Sequence, residues 1–246
     1  MMLRRCVVVP AVLLAAALNA GCAGMPGPDY RAIVVAPDRA DADRANDARR
    51  RPEQLLAFAG VRPGMKVLDL GAGGGYSTEL LARTVGPQGV VYGQDSTAGS
   101  EQARARLEER MKKPAMKNAV RVLRDYDDPV PPEARELDLV TFFFTYHDTP
   151  SLGVDRAKMN RRIFESLRSG GSYVIADHAA KPGAGVSASK SLHRIEESVL
   201  RREVEAAGFR FVAEANFLRN PDDPRGERVF ALKTPVDNFV LKYVKP

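Results

Sequence analysis

The stretch of sequence that decides the fold is Val67-Leu68-Asp69-Leu70-Gly71-Ala72-Gly73-Gly74-Gly75-Tyr76. An apolar run ends near a carboxylate and leads straight into a loop that contains four glycines. The amphipathic segment that follows, 76–85, is ended by Gly86 and Pro87, a typical helix stop. Glycine lets the backbone approach a ligand closely, because it has no side chain and tolerates positive φ. We therefore predict a ligand-binding loop between a strand at 65–70 and this helix.

Short apolar runs alternate with amphipathic stretches along the rest of the chain. They predict further strands at 89–93, 119–123, 137–145 and 173–177. Apolar residues then recur at every second position in 209–218, and a turn separates this strand from one at 228–234. The pattern predicts a single α/β domain, a doubly wound and mostly parallel seven-stranded sheet with an antiparallel C-terminal hairpin. A helix that precedes the first strand should cover the edge of this fold, and the domain is set at 38–246.

The spacing of the loop glycines indicates which class of ligand the loop binds. Dinucleotide sites favour Gly-x-Gly-x-x-Gly, but here the glycines fall at 71, 73 and 75, and Tyr76 takes the place of the third. A carboxylate at Asp69 would repel a pyrophosphate and suit a cationic ligand. The chain also lacks a Tyr-x-x-x-Lys pair. A nicotinamide-dependent oxidoreductase is therefore the least favoured of the enzyme classes.

The loop resembles the first motif of the class I S-adenosylmethionine-dependent methyltransferases, an acidic residue followed by Gly-x-Gly-x-Gly. The resemblance implies that the loop passes the methionine part of the cofactor, that Asp95 holds the ribose hydroxyls, and that Asp125 lies near the adenine amino group. Leu167-Arg168-Ser169-Gly170-Gly171 resembles the Leu-Lys-Pro-Gly-Gly turn of the same family. The C-terminal part looks like a bacterial group of predicted methyltransferases. The implied cofactor-binding residues are Asp69, Gly71, Ala72, Gly73, Gly75, Tyr76, Asp95, Ser96, Asp125, Tyr126 and Tyr146.

All three histidines of the chain are expected at one rim of the sheet, since His147 and His178 follow strands four and five and His193 begins the next helix. One interpretation is that they cap loops and satisfy buried polar groups. The other makes His147 or His178 a general base that Asp148 or Asp177 orients. Their spacing fits no metal motif, and no metal is predicted. The Asn-Pro-Pro-Tyr signature of enzymes that methylate amino groups of DNA, glutamine or adenine is absent.

The first 22 residues look like an export signal. Arg4 and Arg5 precede an apolar stretch that is too short to span a membrane, and Leu18-Asn19-Ala20-Gly21-Cys22 resembles the lipobox of bacterial lipoproteins. The resemblance implies a signal peptide at 1–21, lipidation of Cys22 and a tether at 22–37. The alternatives are ordinary cleavage of the signal peptide without lipidation, and an uncleaved signal that acts as an anchor. The expected location is the cell envelope, lipid-anchored or periplasmic, or the cytoplasm if the signal is not used.

Composition narrows the possible functions further. The only cysteines are Cys6 and Cys22, which excludes a disulfide framework, a cysteine zinc site and a cysteine nucleophile from residues 23–246. Basic residues cluster in 104–124, but the net charge of +6 is modest, and such a run is usually a solvated helix face. Nucleic acid is therefore not the expected partner. The predicted function is methyl transfer to an unidentified small molecule or envelope component; the alternative is an inactive methyltransferase-like lipoprotein that binds a ligand or partner.

Overall fold

A computed structural model describes residues 27–246. Its helices are α1 (Tyr30–Val34), α2 (Asp41–Arg50), α3 (Pro52–Ala59), α4 (Tyr76–Val85), α5 (Glu101–Met111), α6 (Arg156–Ser166), α7 (Ser189–Leu192) and α8 (Glu197–Ala206). Its strands are β1 (Lys66–Leu70), β2 (Val90–Asp95), β3 (Ala119–Leu123), β4 (Leu137–Phe143), β5 (Leu167–His178), β6 (Arg210–Ala215) and β7 (Asn238–Val244). The strand and helix that flank the glycine-rich loop lie where the sequence places them.

The seven strands form one sheet in the order β3-β2-β1-β4-β5-β7-β6. Strands β1 to β5 run parallel, and β7 pairs antiparallel with both β5 and β6. The predicted fold class is confirmed. The strand order reverses at β1, which has β2 on one side and β4 on the other. In open α/β sheets such a reversal opens a crevice at the carboxyl ends of the strands, where ligands bind.

Helices cover both faces of the sheet, so the central strands are buried on both sides. Alternate residues of β4 enter different layers of the core: Val140 and Phe142 pack into one, and Leu139 and Phe143 into the other. This explains why the sequence of β4 is a nearly continuous apolar run. A strand buried on both faces is rigid, and its carboxyl end is therefore a fixed support for the residues that follow.

The C-terminal strand is not where the sequence predicts it. The stretch 228–234 is irregular, with one short 3-10 turn at Val229–Ala231, and the strand is Asn238–Val244. This strand lies inside the sheet, between β5 and β6, and Phe239, Val240 and Leu241 are fully buried. The alternating pattern in 209–218 was predicted correctly as a strand, but its partner begins ten residues later than 228.

Two other boundaries differ from the sequence prediction. The packed domain extends upstream of residue 38, because Tyr30–Val34 is a helix whose Val34 is buried and whose Tyr30 hydroxyl donates to the Val61 carbonyl at 2.8 Å. The helix predicted across 192–204 is broken at His193, which has a left-handed backbone with φ +55°. The residues after that break form an isolated bridge to Ala179 before α8 begins.

The predicted signal peptide and Cys22 lie outside the described residues. In the part that the structure describes, no helix combines the length and apolar composition needed to cross a membrane. Several members of the basic run in 104–124 are paired within the fold: Arg110 with Asp43, Lys113 with Glu79, and Arg104 with the backbone carbonyl of Gly99. These contacts use part of the positive charge to hold α5 against the domain.

Candidate active site

A cavity of about 380 Å³ opens at the carboxyl ends of β1, β2 and β4. Gly71, Gly73, Asp95 and Tyr126 of the predicted cofactor set line it. Its volume is in the range of small-molecule sites. The cavity occupies the crevice that the strand order predicts, so fold and sequence motif point to the same place.

The loop glycines serve different purposes. A Cβ on Gly73 would meet nothing closer than 3.9 Å, so this residue leaves space over the cavity. A Cβ on Gly75 would lie 2.7 Å from Leu107 and 2.8 Å from Arg110, both on α5, and φ is +80°. Gly75 is therefore required for the packing of α5 rather than for the ligand. At Gly71 a Cβ would be 2.9 Å from Thr145, which brings the loop against the residues after β4.

Asp95 lines the cavity and has a buried carboxylate oxygen, Oδ2, without a hydrogen-bond partner among the described residues. It ends β2, and its Oδ1 accepts from the Ser96 backbone N–H at 2.9 Å. Burial raises the pKa of this carboxyl, opposed by the Ser96 hydrogen bond. A buried acceptor without a donor is costly, typically about 1–3 kcal/mol. The hydroxyls of a ribose would supply the missing donors.

Of the two predicted residues after β3, only Tyr126 lines the cavity. Tyr126 is buried and stacks on Phe142, with ring centroids 5.8 Å apart and an interplanar angle of 27°. Asp125 accepts a hydrogen bond from the Thr97 hydroxyl at 2.9 Å, which ties the loop after β3 to the loop after β2. The role of Asp125 near an adenine stays a prediction.

Seven residues of the predicted cofactor set do not line the cavity, and three of them, Asp69, Tyr76 and Tyr146, are bonded elsewhere. Asp69 is fully buried and its carboxylate accepts hydrogen bonds from Ser77, Thr78 and Thr141 at 2.7–2.8 Å, so its oxygens stabilise the turn into α4. Tyr76 donates to Asp47 at 2.6 Å. Tyr146 is buried in the core, where it donates to Glu203 at 2.8 Å, so it does not line the cofactor cavity.

Ala72 and Ser96 support the cavity from behind. Both are buried, at 6% and 2% exposure. The Ala72 N–H donates to the Gln94 carbonyl at 2.8 Å, and the Ser96 hydroxyl accepts from the Ala98 N–H at 3.2 Å. Their contribution is to fix the two loops that carry Gly73 and Asp95.

The three histidines cluster at one rim, as the sequence predicts. The ring of His147 lies 5.1 Å from that of His178 and 5.6 Å from that of His193. A chain of polar contacts runs through the cluster: Asp177 to His147 at 2.6 Å, His147 to Asp148 at 3.2 Å, Asp148 to His193 at 3.0 Å, and His193 to Arg228 at 3.2 Å. Asp148 and His193 line the cofactor cavity, which connects the chain to the site.

The electrostatics separate the roles of His147 and His178. Burial lowers the pKa of His147, but the Asp177 charge and the hydrogen bonds with Asp148 and Asp177 outweigh it and raise that pKa to about 10. Burial lowers the pKa of His178 to about 4, although Asp177 opposes it. His147 is thus an imidazolium that donates from both nitrogens at neutral pH, and it has no lone pair to accept a proton. The 3.2 Å contact between His147 Nε2 and Asp148 holds that carboxylate in place. The role of His147 or His178 as a general base stays a prediction.

Two groups of side chains in this cluster are close enough together to ligate a metal ion. One consists of His147, Asp148 and His193, and the other of His147, Asp177 and His178. The ligand atoms of each group lie within 4.8 Å of one another. Some of these atoms also contact one another directly: Asp148 contacts His147 at 3.2 Å and His193 at 3.0 Å, and Asp177 contacts His147 at 2.6 Å.

Sequence reasoning gave no place in the site to nine residues that line the cavity, among them Thr145, Lys190 and His193. His193 was placed at the rim but given no role in the site. It takes a positive φ that non-glycine residues adopt rarely, and that backbone turns its ring toward Asp148. No pattern in the sequence indicates that break, because the apolar periodicity of 192–204 continues across it.

Comparison with known proteins agrees with this geometry. A family described as a methyltransferase domain matches residues 62–208, more than half of the chain. The chain belongs to this family. The predictions of a methyltransferase and of S-adenosylmethionine as the cofactor are confirmed at the level of the family.

Solved structures show the same fold. The chain is similar to a SAM-dependent methyltransferase from Aquifex aeolicus, with 20% identity, a TM-score of 0.60 and coverage of 89% of this chain and 100% of the other. It is also similar to an arsenic(III) S-adenosylmethionine methyltransferase from Chlamydomonas reinhardtii, with 18% identity, a TM-score of 0.60 and coverage of 90% and 74%. At these identities the likeness concerns the fold alone.

One curated relative is similar over a short segment. An arsenite methyltransferase from Halobacterium salinarum is 54% identical over 41 residues, which are 17% of this chain. The match spans only a tenth of that relative.

Proposed function

We propose that this methyltransferase binds S-adenosylmethionine in the 380 Å³ cavity and transfers its methyl group to an acceptor held beside Asp148 and His193. The observation that carries this proposal is the asymmetry of the cavity. One side presents the unpartnered carboxylate oxygen of Asp95, which suits a ribose, and the other presents Asp148, His193 and Lys190. The glycine loop separates this second side from Asp95. An acceptor that entered the cavity would therefore meet the polar groups of the second side.

When bound, the cofactor supplies an electrophilic methyl carbon on a positively charged sulfur. An acceptor would take that carbon as sulfur left with the bonding electron pair, and the chain would contribute in-line positioning and exclusion of water. The buried carboxyl ends of β1 and β4 hold the glycine loop close to Thr145.

Asp148 is suited to orient the acceptor. Burial raises the pKa of its carboxyl, but hydrogen bonds and charges from His147 and His193 outweigh burial and lower it, so Asp148 is ionised at neutral pH. Both histidine contacts use Oδ1. Its other oxygen is positioned to accept a hydrogen bond from an O–H or N–H of the acceptor, and its negative charge favours a cationic sulfonium nearby. With a lowered pKa it is a weak base, so it aligns the acceptor more than it removes the proton.

The residues of this chain do not favour arsenite, the substrate named for the similar proteins, as its methyl acceptor. Trivalent arsenic binds thiolates, and residues 23–246 contain no cysteine. The oxygen and nitrogen groups at the acceptor end favour an oxygen or nitrogen nucleophile instead.

Native mass spectrometry of the purified full chain tests the proposed function. We expect a co-purifying or added S-adenosylmethionine or S-adenosylhomocysteine adduct. An NAD(P) adduct would instead support an oxidoreductase. Failure to bind either nucleoside at saturating concentration would overturn the methyltransferase proposal and favour a ligand-binding or partner-binding domain.

We further propose that Cys22 anchors the domain to the cell envelope. The small residues before Cys22 and the Gly and Pro residues that follow it support this location. Fractionation of cells that express the full chain or Cys22→Ser provides the test. Membrane association that is lost in the variant is expected; association of both proteins with the membrane would contradict the lipid anchor.

A further inference from the structure

The side chains of His147, Asp148 and His193 are arranged as the ligands of one cation would be. Asp148 Oδ1 lies 3.2 Å from His147 Nε2 and 3.0 Å from His193 Nδ1, and the ligand atoms of all three residues lie within 4.8 Å of one another. Two atoms that ligate the same tetrahedral cation at about 2.1 Å are themselves about 3.4 Å apart. Both contacts with Asp148 are therefore close to the spacing that a bound cation requires. We call these three residues the rim group.

Asp177 fixes the ring of His147 in the orientation that a metal ligand needs. It is fully buried, its Oδ1 lies 2.6 Å from His147 Nδ1, and its Oδ2 accepts from the His147 backbone N–H at 2.7 Å. Because a carboxylate oxygen accepts, Nδ1 carries a proton and Nε2 is directed at Asp148. Histidines that ligate a metal usually donate their second nitrogen to such an acceptor, which fixes the ring and strengthens the ligand. Asp177 therefore supports the rim group from behind.

The backbone at His193 brings the third ligand into place. Its φ of +55° is rare for a residue other than glycine, and strained residues of this kind cluster at functional sites. The hydroxyl of buried Ser189, in α7, donates to the His147 carbonyl and holds α7 against the turn that carries His147 and Asp148. Only the fold brings these ligands together, which explains why their spacing in the sequence fits no metal motif.

The charges around the rim group favour a divalent cation. Asp148 and Asp177 contribute two negative charges, and neutral imidazoles contribute none. Without the ion, a proton between His147 Nε2 and Asp148 Oδ1 offsets one of these charges, and a cation would take the place of that proton. Arg228 is a positive charge on the far side of the group, with Nη2 at 3.2 Å from His193 Nε2, but its side chain is exposed and can withdraw.

The rim group is open on the side of the cofactor cavity. The side chain of His147 is only 3% exposed, whereas those of Asp148 and His193 are 31% and 21% exposed and line the cavity. A cation held by the three residues would have protein on one side and a free ligand position toward the cavity. Two imidazoles and one carboxylate suit a transition metal such as Zn²⁺ or Fe²⁺, whereas Mg²⁺ and Ca²⁺ prefer sites built from oxygen ligands.

We propose that the rim group binds a divalent transition-metal cation and presents it to a hydroxyl of the methyl acceptor in the cofactor cavity. A cation of this kind lowers the pKa of a hydroxyl that binds it, so that the proton passes to water and the oxygen keeps the electron pair that attacks the methyl carbon. The part of the proposal that concerns the acceptor rests on the proposed function. Cation binding does not, since it needs neither S-adenosylmethionine nor an acceptor.

Calorimetry with Zn²⁺ tests cation binding on the full chain, after treatment with a chelator and alkylation of its two cysteines. One equivalent should bind to the wild type. His193→Gln and Asp148→Asn each remove a ligand at the partly exposed edge of the group and should weaken binding by at least about 10-fold. His178→Asn is the control, because its ring lies 5.1 Å from that of His147 but outside the rim group; its affinity should stay within a factor of about 3. Circular dichroism checks that each variant is folded.

Three results would overturn cation binding at the rim group. One is the absence of stoichiometric Zn²⁺ binding by the wild type. Another is equal affinity of the wild type, His193→Gln and Asp148→Asn, which would indicate an adventitious ion only. The third is a loss in His178→Asn as large as that in His193→Gln, which would assign the ion to the alternative set of His147, Asp177 and His178.

Arg228 provides a test in which the affinity rises. When His193 Nδ1 binds a cation, the proton of the neutral ring lies on Nε2 and opposes the N–H donor of Arg228. Arg228→Met removes both this conflict and a positive charge, so Zn²⁺ should bind about 3- to 10-fold more tightly. Arg225→Met, in the same segment but paired with Asp237 at 2.6 Å, should have no effect. An unchanged or weaker affinity in Arg228→Met would overturn Nδ1 of His193 as a ligand atom.

Co²⁺ in place of Zn²⁺ tests the free ligand position, with azide as the probe. Azide should shift the visible absorption of Co²⁺ bound to the wild type, and an unchanged spectrum would overturn the open position toward the cavity. The cation site and the proposed function fail separately. A chain that binds Zn²⁺ but no S-adenosylhomocysteine keeps the cation site and loses the proposed function, and a chain that binds only the nucleoside does the reverse.

Discussion

The two sides of the cavity differ in how far their polar groups are already satisfied. Beside β2, Asp95 keeps a buried oxygen without a partner, and Gly73 leaves space above the loop. Beside β4, Asp177, His147, Asp148 and His193 are linked to one another by contacts of 2.6–3.2 Å. The first side depends on a ligand to complete it, while the second is a prearranged network that holds one carboxylate in place. Substitutions should therefore affect ligand binding on the first side and the fold on the second.

The largest effect is expected for Asp177→Asn. Asp177 is fully buried and accepts hydrogen bonds from the His147 ring at 2.6 Å and from the backbone N–H groups of His147 and His178 at 2.7 and 2.8 Å. Loss of one partner of a buried ion pair costs about 3–5 kcal/mol. Denaturant unfolding should show a loss of this size. Asp148→Asn, at the half-exposed end of the network, should lose much less; equal losses would show that the network is not anchored at Asp177.

The glycine loop offers a second comparison, Gly75→Ala against Gly73→Ala. Both residues have positive φ, but only a Cβ at Gly75 collides with α5. Overpacking costs about 1–3 kcal/mol and a left-handed alanine about 1–2 kcal/mol. Gly75→Ala should therefore lower the free energy of unfolding by about 2–5 kcal/mol, and Gly73→Ala by about 1–2 kcal/mol. Similar losses in the two variants would contradict the division of roles between these glycines.

A third variant, Asp95→Ala, should affect binding rather than folding. Loss of charge-assisted hydrogen bonds to the ribose should weaken S-adenosylhomocysteine about 10- to 100-fold in calorimetry. The melting temperature should change little, because removal of the buried unpartnered Oδ2 offsets the loss of the hydrogen bond from the Ser96 N–H to Oδ1. Asp41→Ala removes a fully exposed carboxylate and serves as the control. An Asp95 variant with unchanged affinity would remove this residue from the ribose site.

The smallest effect is expected from a change of pH. NMR of the imidazole resonances measures the protonation of His147 and His178. His147 should stay protonated through neutral pH and titrate near 10, whereas His178 should stay neutral down to about 4. The signs of their contributions to stability are opposite. The contribution of His147 is complete below pH 6.5 and is lost as the pH rises through about 10; that of His178 is complete above pH 6.5 and is lost as the pH falls toward 4. Two histidines that both titrate near 6.5 would contradict the buried network.

The sequence predicted the side of the cavity that depends on backbone more reliably than the side that depends on side-chain contacts. Gly71 and Gly73 were predicted to line a ligand site because a glycine-rich loop between a strand and a helix has a local signature, and Asp95 was implied by the family resemblance. The position of Tyr146 in the core depends on Glu203, 57 residues away, and no local pattern reports that contact. The same holds for His147, whose raised pKa depends on Asp177, 30 residues away in the sequence.

The position of β7 has a consequence for the order in which the protein can fold. Asn238–Val244 lies between β5 and β6, so β6 has no neighbour in the sheet until these residues have been synthesised. During synthesis, residues up to about 237 can assemble the parallel strands, but their edge at β5 stays unpaired. Completion of the sheet must therefore wait until the last strand has left the ribosome. A nascent chain with this topology therefore keeps an incomplete sheet until Asn238–Val244 is available to pair with β5 and β6.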